Sequence, residues 1–389
     1  MPAYPVYVQP MPKRHPDGPF DIFLIAVPGF EATLAGEVRA AGFDEAKAIP
    51  GGVLFKGCWS DVWRANLVLR GASRVLARLD SFKVDQLADL ERRARRVPWS
   101  RVLRADVPVH VETTCHRSRI FHSGAASERI AEAITRETGA PISDDADITI
   151  KARFDNDICT IAVDTSGDLL HKRGHKQAVA KAPMRETLAS LFLRECGYDG
   201  REPVLDPMCG SGTFVIEAAE MAAGLLPGRG RAFAFEQLAT FDAAAWDVVR
   251  TTSSSPLRSP NGCFHGSDRD AGAIVMCRAN AERAGVTACT SFSHHAVSDL
   301  QRPDGPPGLV IVNPPYGGRI GDPKKLGPLY QALGRTLMAR FAGWRVGLVT
   351  NEATLAKATG LPFEPPFGPV SHGGIRVWLN RTAPLPAAS

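Results

Sequence analysis

The sequence has 389 residues, of which 44% are hydrophobic and 22% charged, and it carries a formal net charge of +5. This composition is that of a globular protein with ample cores, and the length predicts two or three domains. The mild basicity permits a nucleic-acid partner without requiring one. No apolar run approaches the roughly 18 residues that a membrane span needs, which excludes a transmembrane protein.

The eight cysteines are scattered along the chain, and none of them forms a C-x-x-C pair. In a chain of this size, such spacing argues against a disulfide framework and against a zinc site. We therefore expect no bound metal and a location in the reducing cytoplasm.

The amino-terminal part of the sequence predicts two small α+β units. Residues 1–19 are rich in proline and lack an apolar core, so we expect a disordered leader. In the first unit, the pattern predicts a strand from residue 20, a helix over 31–41, a strand over 51–55 and a helix over 63–68. In the second, it predicts a strand over 107–113, a helix over 127–138, and a hairpin over 147–154 and 158–164.

Three basic segments are candidate RNA contacts. The first is a run of six arginines around Trp99, for which a solvated helix face is the plain alternative. The second is the C-H-R-S-R segment at 115–119, and the third is the connector H-K-R-G-H-K at 171–176, which could equally be a simple linker. The RNA-binding candidates are Arg92, Arg93, Arg95, Arg96, Arg117, Arg119, Lys172, Arg173 and Lys176.

From Pro203 onward, strands alternate with helices, which is the pattern of a doubly wound, Rossmann-like α/β sheet. Before it, Pro183 would lie in the first turn of a helix that runs to about residue 196. A polar loop is expected at 252–262. The predicted strands are 204–206, 263–267, 290–292, 309–312, 345–350 and 375–379, and the predicted helices are 213–223, 271–284 and 329–341.

The first of these strands leads into D-P-M-C-G-S-G-T-F, which begins at Asp206 and opens a helix. Gly210 and Gly212 let the backbone pass close to a ligand. The glycine spacing is tighter than in the dinucleotide fingerprint, and the lysine of a P-loop is missing, so neither a pyrophosphate nor a triphosphate is the natural ligand. A small zwitterion fits better, with its carboxylate at the helix N-terminus and its ammonium against Asp206. That describes the methionine end of S-adenosylmethionine.

The second strand ends in G-S-D-R-D at residues 266–270. An acidic residue at this place can accept both hydroxyls of a ribose. We assign this role to Asp268 and expect Asp270 to cap the following helix.

The segment V-I-V-N-P-P-Y at 310–316 predicts a buried strand that ends at Asn313, because the two prolines that follow cannot continue a sheet. Pro314 also holds Asn313 in an extended conformation. The resulting stiff turn presents the amide of Asn313, the carbonyl of Pro314 and the ring of Tyr316. The two oxygens suit the two N–H bonds of an exocyclic amine, and the ring suits the face of a base. Taken alone, the motif could also be a rigid loop.

Together these segments resemble the class I S-adenosylmethionine-dependent methyltransferases with an Asn-Pro-Pro-Tyr motif. More narrowly, the chain is similar to the THUMP-domain RNA methyltransferases that methylate N2 of guanine in large-subunit ribosomal RNA. The resemblance covers nearly the whole chain. It is carried by L-H-K-R-G-H, A-P-M-R-E-T-L-A, L-D-P-M-C-G-S-G-T-F-V-I-E-A-A, G-S-D-R-D, N-P-P-Y-G-G-R-I and V-W-L-N-R-T.

The resemblance implies a ferredoxin-like domain at 20–85, a THUMP RNA-binding module at 86–165, a linker at 166–182 and a methyltransferase domain at 183–389. It also implies a structured RNA as partner, large-subunit ribosomal RNA above all, and we expect a monomer. Many relatives carry a second methyltransferase domain, and this chain is expected to lack it. The implied catalytic residues are Asn313, Pro314, Pro315 and Tyr316. The implied cofactor-binding residues are Asp206, Pro207, Cys209, Gly210, Gly212, Thr213, Asp268, Asp270, His295 and Asn313.

One position departs from the family pattern. Where family members often place an acidic residue near the adenine amino group, this chain has His295, with Asp299 four positions later. A solvated pair formed by His294 and His295 is the plain alternative, and a backbone contact could replace the missing carboxylate.

Other functions stay open at this point: an N6-adenine methyltransferase acting on DNA or RNA, a transfer-RNA guanine methyltransferase, and a non-catalytic RNA-binding assembly factor. The sequence argues against carbon methylation, which needs a thiolate that attacks the base. Cys209 lies inside the cofactor turn, and no cysteine follows Asn313. We interpret Cys209 as a small residue packed beside the cofactor.

Overall fold

The computed structural model describes residues 18–177, 184–254, 264–316 and 326–387. The chain divides into two compact units. The first comprises Met1–Ala26, Ala35–Leu170 and Arg231–Ser254, and the second comprises Val27–Leu34, His171–Gly230 and Ser255–Ser389.

Several predicted features lie outside the described residues. They are the leader up to residue 17, the helix-opening Pro183, Cys263 at the start of the second predicted strand, and most of the polar loop at 252–262. The G-G-R-I segment that follows Tyr316 is also outside them. Residues 252 and 253 belong to a helix instead of a loop.

The first unit is built on one seven-stranded sheet. Its strands are β1 (Phe20–Ile25), β2 (Lys47–Ile49), β3 (Gly52–Gly57), β4 (Arg74–Lys83), β5 (Val109–His116), β6 (Ile148–Asp155) and β7 (Ile158–Asp164), in the order β2-β3-β1-β4-β7-β6-β5. The helices of this part of the chain are α1 (Glu31–Ala40), α2 (Trp59–Val68), α3 (Leu87–Ala94), α4 (Trp99–Val102), α5 (Ser123–Thr138) and α8 (Ala243–Ser253), with a short 3-10 helix at Ala234–Gln237.

Strand β4 joins the two predicted amino-terminal modules into one sheet. It pairs antiparallel with β1 on one side and antiparallel with β7 on the other. This strand was not predicted from the sequence, although the half-buried Arg74 at its start is followed by three buried residues, Val75, Leu76 and Ala77. The two amino-terminal modules therefore share one continuous hydrogen-bonded sheet.

Residues 231–254 pack within the first unit, although the sequence analysis assigned them to the methyltransferase domain. The ring of Phe235 lies 6.0 Å from that of Trp63 between centroids. The amide of Ala239 donates to the carbonyl of Val102 at 2.9 Å. Helix α8, which was not predicted, begins at the cap residue Asp242, whose side chain accepts from the Ala245 amide.

The second unit carries a second seven-stranded sheet in the order β10-β9-β8-β11-β12-β14-β13. Its strands are β8 (Val204–Asp206), β9 (Phe264–Asp268), β10 (Thr290–His294), β11 (Leu309–Val312), β12 (Arg345–Thr350), β13 (Phe367–His372) and β14 (Ile375–Arg381). Its helices are α6 (Glu186–Glu195), α7 (Thr213–Ala223), α9 (Ala271–Ala284), α10 (Leu326–Arg340) and α11 (Ala353–Ala358), with 3-10 helices at Thr287–Cys289 and Val297–Asp299.

The direction of each strand determines which loops meet at one edge of this sheet. Strands β8 to β12 run parallel to one another. Strand β14 runs antiparallel to β12, and β13 runs antiparallel to β14, so β13 again points in the direction of β12. The carboxyl ends of β8, β9, β10, β11, β12 and β13 therefore lie along a common edge, where open α/β sheets bind their ligands.

The core of this sheet explains why its centre was predictable. All four residues of β11 are buried, and β8 is buried throughout. Helix α7 follows β8 and is buried over most of its length. Such continuous apolar runs, bounded by glycine and proline, are typical of parallel strands covered on both faces. The predicted bounds of β8, α7, α9, β11 and β12 are those of the structure.

Candidate active site

A cavity of about 680 Å³ opens at the carboxyl edge of the second sheet. Its size lies within the range of ordinary small-molecule sites. Loops from four neighbouring parallel strands contribute to its wall. The predicted site residues that line it are Asp206, Pro207, Cys209, Gly210, Thr213, Asp268, Asp270, His295, Asn313, Pro314, Pro315 and Tyr316. The structure thus brings both halves of the predicted site into one space.

The turn after β8 is fixed by hydrogen bonds that its backbone amides donate. The Cys209 amide donates to the Ser267 carbonyl at 2.9 Å, and the Gly210 amide donates to Asp268 Oδ2 at 3.0 Å. Gly210 has a φ of 54°, in the left-handed region that favours glycine, and a Cβ built on it would meet no atom within 4 Å. The turn then delivers the N-terminus of α7 to the cavity wall at Thr213.

Gly212 is not among the residues that line the cavity, and its contact with the cofactor stays a prediction. It is the residue that precedes α7, with a φ of 82°, and a Cβ built on it would lie 3.1 Å from Cys277 Sγ. The glycine is needed for the left-handed turn and for close packing against α9. The spacing of the motif alone could not separate these two uses of glycine.

Asp206 is a buried carboxylate at the floor of the cavity, with 3% of its surface exposed. Burial raises its pKa to about 8, and the nearby charge of Asp268 adds to this effect, while a hydrogen bond from the Met208 amide opposes it. Among the described residues, no lysine or arginine forms an ion pair with it. A buried carboxylate is costly unless a cation pairs with it. The donor set therefore fits a ligand ammonium.

Asp268 is held at the end of β9 by two backbone amides. Its Oδ2 accepts from Gly210, and its Oδ1 accepts from the Asp270 amide at 3.0 Å. Asp270 in turn accepts from the Gly272 amide at 2.8 Å and thereby caps α9, as predicted. Asp270 also lines the cavity, so its carboxylate serves the helix and faces the site.

Cys209 is buried beside the glycine turn, with its Sγ 3.6 Å from Cys277 Sγ. Its hydrogen bond with Cys277 raises the pKa of the thiol well above the usual value, and burial adds to the shift. The Cys277 thiol donates to the Gly210 carbonyl at 3.1 Å. A neutral, buried thiol is a packing group and a poor nucleophile.

The Asn-Pro-Pro-Tyr corner follows β11, and a hydrogen bond from helix α10 holds it in place. The hydroxyl of Tyr330, on α10, donates to the Pro315 carbonyl at 3.3 Å and lies 3.4 Å from Thr350 Oγ1. Burial raises the pKa of Tyr330 to about 12, so the hydroxyl remains a donor. Asn313 Oδ1 is buried and has no hydrogen-bond partner among the described residues. Because Asn313 also lines the cavity, this acceptor is available to a ligand that carries an N–H group.

Two histidines line the cavity: His295 follows β10, and His372 is the last residue of β13. The His295 amide donates to the Asp268 carbonyl at 3.1 Å, and its ring lies 3.1 Å from the Ala296 carbonyl. The side chain is half-buried, so it is not a freely solvated loop residue. His372, at the end of β13, is buried and was missed by the sequence analysis. Only the reversal of direction through β14 brings it to this edge.

The candidate RNA contacts have different fates in the structure. Trp99 is 1% exposed and donates its Nε1–H to the Ala94 carbonyl at 2.7 Å, so it is a core residue and no RNA contact. The cationic residues that remain at or near the surface are Arg92, Arg93, Arg95, Arg96, Arg117, Arg119 and Lys172. Surface ion pairs such as Arg92–Asp89 and Arg95–Glu137 are weak and do not preclude a phosphate contact. These seven positions stay predictions.

The prediction of RNA contact is wrong for Arg173 and Lys176. The Arg173 side chain is 1% exposed and pairs with Glu217 at 2.5 Å and Glu220 at 3.7 Å. Lys176 is 10% exposed and points at Thr213 and Glu186. Neither cation can reach a phosphate without abandoning buried carboxylates.

Over the described ranges, no group of three His, Cys, Asp or Glu side chains could hold a metal ion. In the same ranges, no helix combines the length and the apolar character that crossing a membrane requires.

Three family models match successive parts of the chain. An RlmL ferredoxin-like domain matches residues 21–76, a THUMP domain matches residues 84–164, and an RMKL-like methyltransferase domain matches residues 173–362. Among curated proteins, the Ribosomal RNA large subunit methyltransferase K/L of Syntrophotalea carbinolica is 35% identical over 364 residues, covering 89% of this chain and 51% of that protein. The chain spans about half the length of the curated relatives it matches.

Two solved structures share the fold over nearly the whole chain. SMU.472, solved in complex with SAH, has a TM-score of 0.85 at 25% identity and covers 96% of this chain and 99% of that chain. A protein described as a predicted N6-adenine-specific DNA methylase from Listeria monocytogenes has a TM-score of 0.83 at 28% identity and covers 94% of this chain and 96% of that chain.

These matches confirm the predicted fold class and, for the family, S-adenosylmethionine as methyl donor. This chain belongs to the THUMP-domain class I methyltransferases, in which an RlmL ferredoxin-like domain and a THUMP domain precede an RMKL-like methyltransferase domain.

Proposed function

We propose that this protein transfers a methyl group from S-adenosylmethionine to the exocyclic N2 amine of a guanine in RNA, with large-subunit ribosomal RNA as its substrate. The observation that carries the proposal is the unpaired, buried Oδ1 of Asn313, in the same cavity as the uncompensated carboxylate of Asp206. The Asn313 oxygen can accept a hydrogen bond from an amine, and the Asp206 carboxylate can pair with a cation.

The donor half of the site is assigned to the ends of β8 and β9. Asp206 would pair with the ammonium of the methionine part, and the N-terminus of α7 with Gly210 would hold its carboxylate. Asp268 would accept from the ribose hydroxyls, and the wall around His295 would enclose the adenine. The donor supplies a methyl group that its sulfonium has already activated, so a strong general base is unnecessary.

The acceptor half is assigned to the Asn-Pro-Pro-Tyr corner. The lone pair of the guanine N2 is conjugated into the ring, which makes this amine a poor nucleophile. Acceptance of its two hydrogens by Asn313 Oδ1 and the Pro314 carbonyl favours a pyramidal nitrogen with a free lone pair. Tyr330 fixes the corner through Pro315, so these acceptors need no rearrangement when the substrate arrives. Stacking on Tyr316 would contribute roughly 1–3 kcal/mol towards the cost of unstacking the base.

RNA is the favoured class of substrate because a THUMP domain precedes the methyltransferase domain. The name of the Syntrophotalea relative assigns that protein to large-subunit ribosomal RNA, and we extend this substrate to the present chain. The exposed arginines of α3 and of the loop after β5 would supply the electrostatic part of the binding.

Adenine is the second candidate base. The exocyclic amine of adenine suits the same corner, and the Listeria structure carries an N6-adenine description. The two bases differ in where the amine lies on the ring, and the THUMP domain favours RNA over DNA as the carrier.

One experiment separates these substrates. The purified protein is incubated with methyl-deuterated S-adenosylmethionine and with large-subunit rRNA, transfer RNA or DNA, and the nucleosides are analysed by mass spectrometry. We expect deuterated N2-methylguanosine from the ribosomal RNA alone. Label in transfer RNA or on adenine N6 would show that the substrate is a different one. The absence of label in all three nucleic acids would overturn the enzymatic proposal.

A further inference from the structure

We call residues 171–177 the strap. Its Arg173 and Lys176 side chains point into the second unit, whereas Lys172 is exposed. Arg173 pairs with Glu217 and Glu220 on α7, and the guanidinium of Arg283 donates to the His175 carbonyl at 2.7 Å. The strap therefore rests on the helix whose first turn forms part of the cavity wall. A segment that serves only as a linker would not bury its charges in this way.

Lys176 is the strap residue that contacts two residues of the cavity wall. Its Nζ donates to Thr213 Oγ1 at 2.9 Å and to the Met184 carbonyl at 2.5 Å, and it lies 3.5 Å from Glu186 Oε1. The side chain is 10% exposed. Both Thr213 and Met184 line the cavity, while Lys176 itself does not. Lys176 thus stands directly behind the wall.

The contact with Lys176 determines what the Thr213 hydroxyl can do. An ammonium only donates, so the hydroxyl oxygen must accept from it, and the O–H proton must point elsewhere. The Met184 carbonyl is 3.5 Å from Thr213 Oγ1, which is a marginal distance for a hydrogen bond. Because Thr213 lines the cavity, an acceptor on a bound ligand would compete well with the Met184 carbonyl for this proton.

The same contact brings the cationic end of the Lys176–Glu186 ion pair next to the place where an anion would bind. Thr213 is the first residue of α7, and the first turn of this helix contains no acidic side chain. The N-terminus of a helix already attracts anions, and a buried ammonium behind the same hydroxyl strengthens that attraction. The matching group of the methyl donor is its carboxylate.

We propose that Lys176 is a positioning residue for the methyl donor: it orients the Thr213 hydroxyl towards the carboxylate of the methionine part. This inference rests on the donor half of the proposed function and is independent of the RNA substrate. The Lys176–Thr213 contact would affect the binding of the amino-acid part of the ligand only. A general role in folding would affect the binding of the whole ligand.

The test compares two ligands by calorimetry. S-adenosylhomocysteine carries the amino-acid part, and 5′-methylthioadenosine has the same adenosine and sulfur without it. We expect Lys176→Met to weaken S-adenosylhomocysteine about tenfold, the value of one charge-assisted hydrogen bond, and to leave 5′-methylthioadenosine unchanged. Lys176→Arg should recover part of the loss. Lys357→Met removes the same charge from an exposed position in the same unit and should change neither affinity.

Equal weakening of both ligands by Lys176→Met would show a structural role and overturn the inference, as would wild-type affinity for both. If the unchanged protein binds S-adenosylhomocysteine no better than 5′-methylthioadenosine, the carboxylate site itself is absent. A failure of RNA methylation with the expected pattern of affinities would instead contradict the proposed function and leave this inference standing.

Discussion

The carboxylate of Asp268 accepts a hydrogen bond from the amide of Gly210 at 3.0 Å. The end of β9 is therefore fastened to the glycine turn after β8 without any ligand. Two loops that are 58 residues apart in sequence form one preorganised wall, and a ligand need not spend binding energy on ordering it.

Removal of the Asp268 side chain should weaken binding of the methyl donor for two reasons. Asp268→Ala loses the acceptor for the ribose hydroxyls and frees the Gly210 turn. We expect the affinity for S-adenosylhomocysteine, measured by calorimetry, to fall by at least about tenfold, because a charged hydrogen-bond acceptor contributes roughly 1.5–3 kcal/mol. Asp304→Ala, which removes an exposed carboxylate from the same unit, is the matched control and should bind normally. Unchanged affinity of the Asp268 variant would remove Asp268 from the site.

Binding of the donor should release a proton at mildly acidic pH. The pKa of Asp206 is raised to about 8, so below this pH the ligand-free protein holds a proton on that carboxyl. Pairing with the ligand ammonium favours the ionised form and lowers the pKa. At pH 6.5, titrations of S-adenosylhomocysteine in buffers of different ionisation enthalpy should report the release of up to one proton. Asp206→Asn should abolish that release, and proton-independent binding by the unchanged protein would contradict the ammonium assignment.

The same carboxyl should make the ligand-free protein less stable as the pH rises. Its folded pKa of about 8 lies above the unfolded value of 3.8, so the folded state binds more protons between these two values. The contribution of Asp206 to the free energy of unfolding is therefore complete below the unfolded pKa and is lost as the pH rises towards 8. We expect Asp206→Asn to raise the melting temperature of the ligand-free protein at pH 8 by roughly a few degrees while weakening the donor. A lower melting temperature in that variant would show that the buried charge is compensated.

Asn313 should act on the methyl transfer and not on donor binding. Asn313→Ala removes one of the two acceptors for the amine, and loss of a preorganised polar group of this kind typically costs about 10²–10³ in kcat. We expect this loss in single-turnover methylation, with the affinity for S-adenosylhomocysteine unchanged. Asn351→Ala is the matched control, because Asn351 Oδ1 is also buried without a partner among the described residues but does not line the cavity. Equal rate losses in both variants would show that the effect of Asn313 is on packing.

Variants of Arg173 and Arg117 should distinguish an arginine that stabilises the fold from one that binds RNA. Arg173→Met removes a cation that pairs with the buried carboxylates of Glu217 and Glu220 and should lower the free energy of unfolding by about 3–5 kcal/mol. Glu220 keeps its ion pair with Arg229 in this variant. Arg117 is exposed, so Arg117→Ala should leave stability within roughly 0.5 kcal/mol of the unchanged protein. It should weaken RNA binding and reduce the slope of log K against log salt by about 1. Normal salt dependence in the Arg117 variant would remove this loop from the RNA-binding surface.

The sequence was sufficient for the centre of the second sheet because its signals there are local. Continuous apolar runs bounded by glycine and proline predict β8 and β11 with their bounds, and the polar residues that follow each strand must meet at one edge. The cavity wall around Asp206, Asp268 and Asn313 is a consequence of this rule.

The features that the sequence did not reveal depend on partners distant in the chain. The partner of Arg173 is 44 residues away, so its burial has no signature in the H-K-R-G-H-K segment. The position of His372 depends on the reversal of the chain through β14. Strand β13 was missed because it contains Pro369, which normally argues against a strand and is tolerated here at the sheet edge.

The central claim is that one cavity holds the methyl donor against Asp206 and the acceptor amine against Asn313. A crystal structure with bound S-adenosylhomocysteine tests this most directly. We predict the ligand ammonium beside Asp206, the ribose beside Asp268 and the sulfur facing Asn313 Oδ1 across the space left for the base. A ligand bound elsewhere, or one whose sulfur faces away from Asn313, would contradict the account.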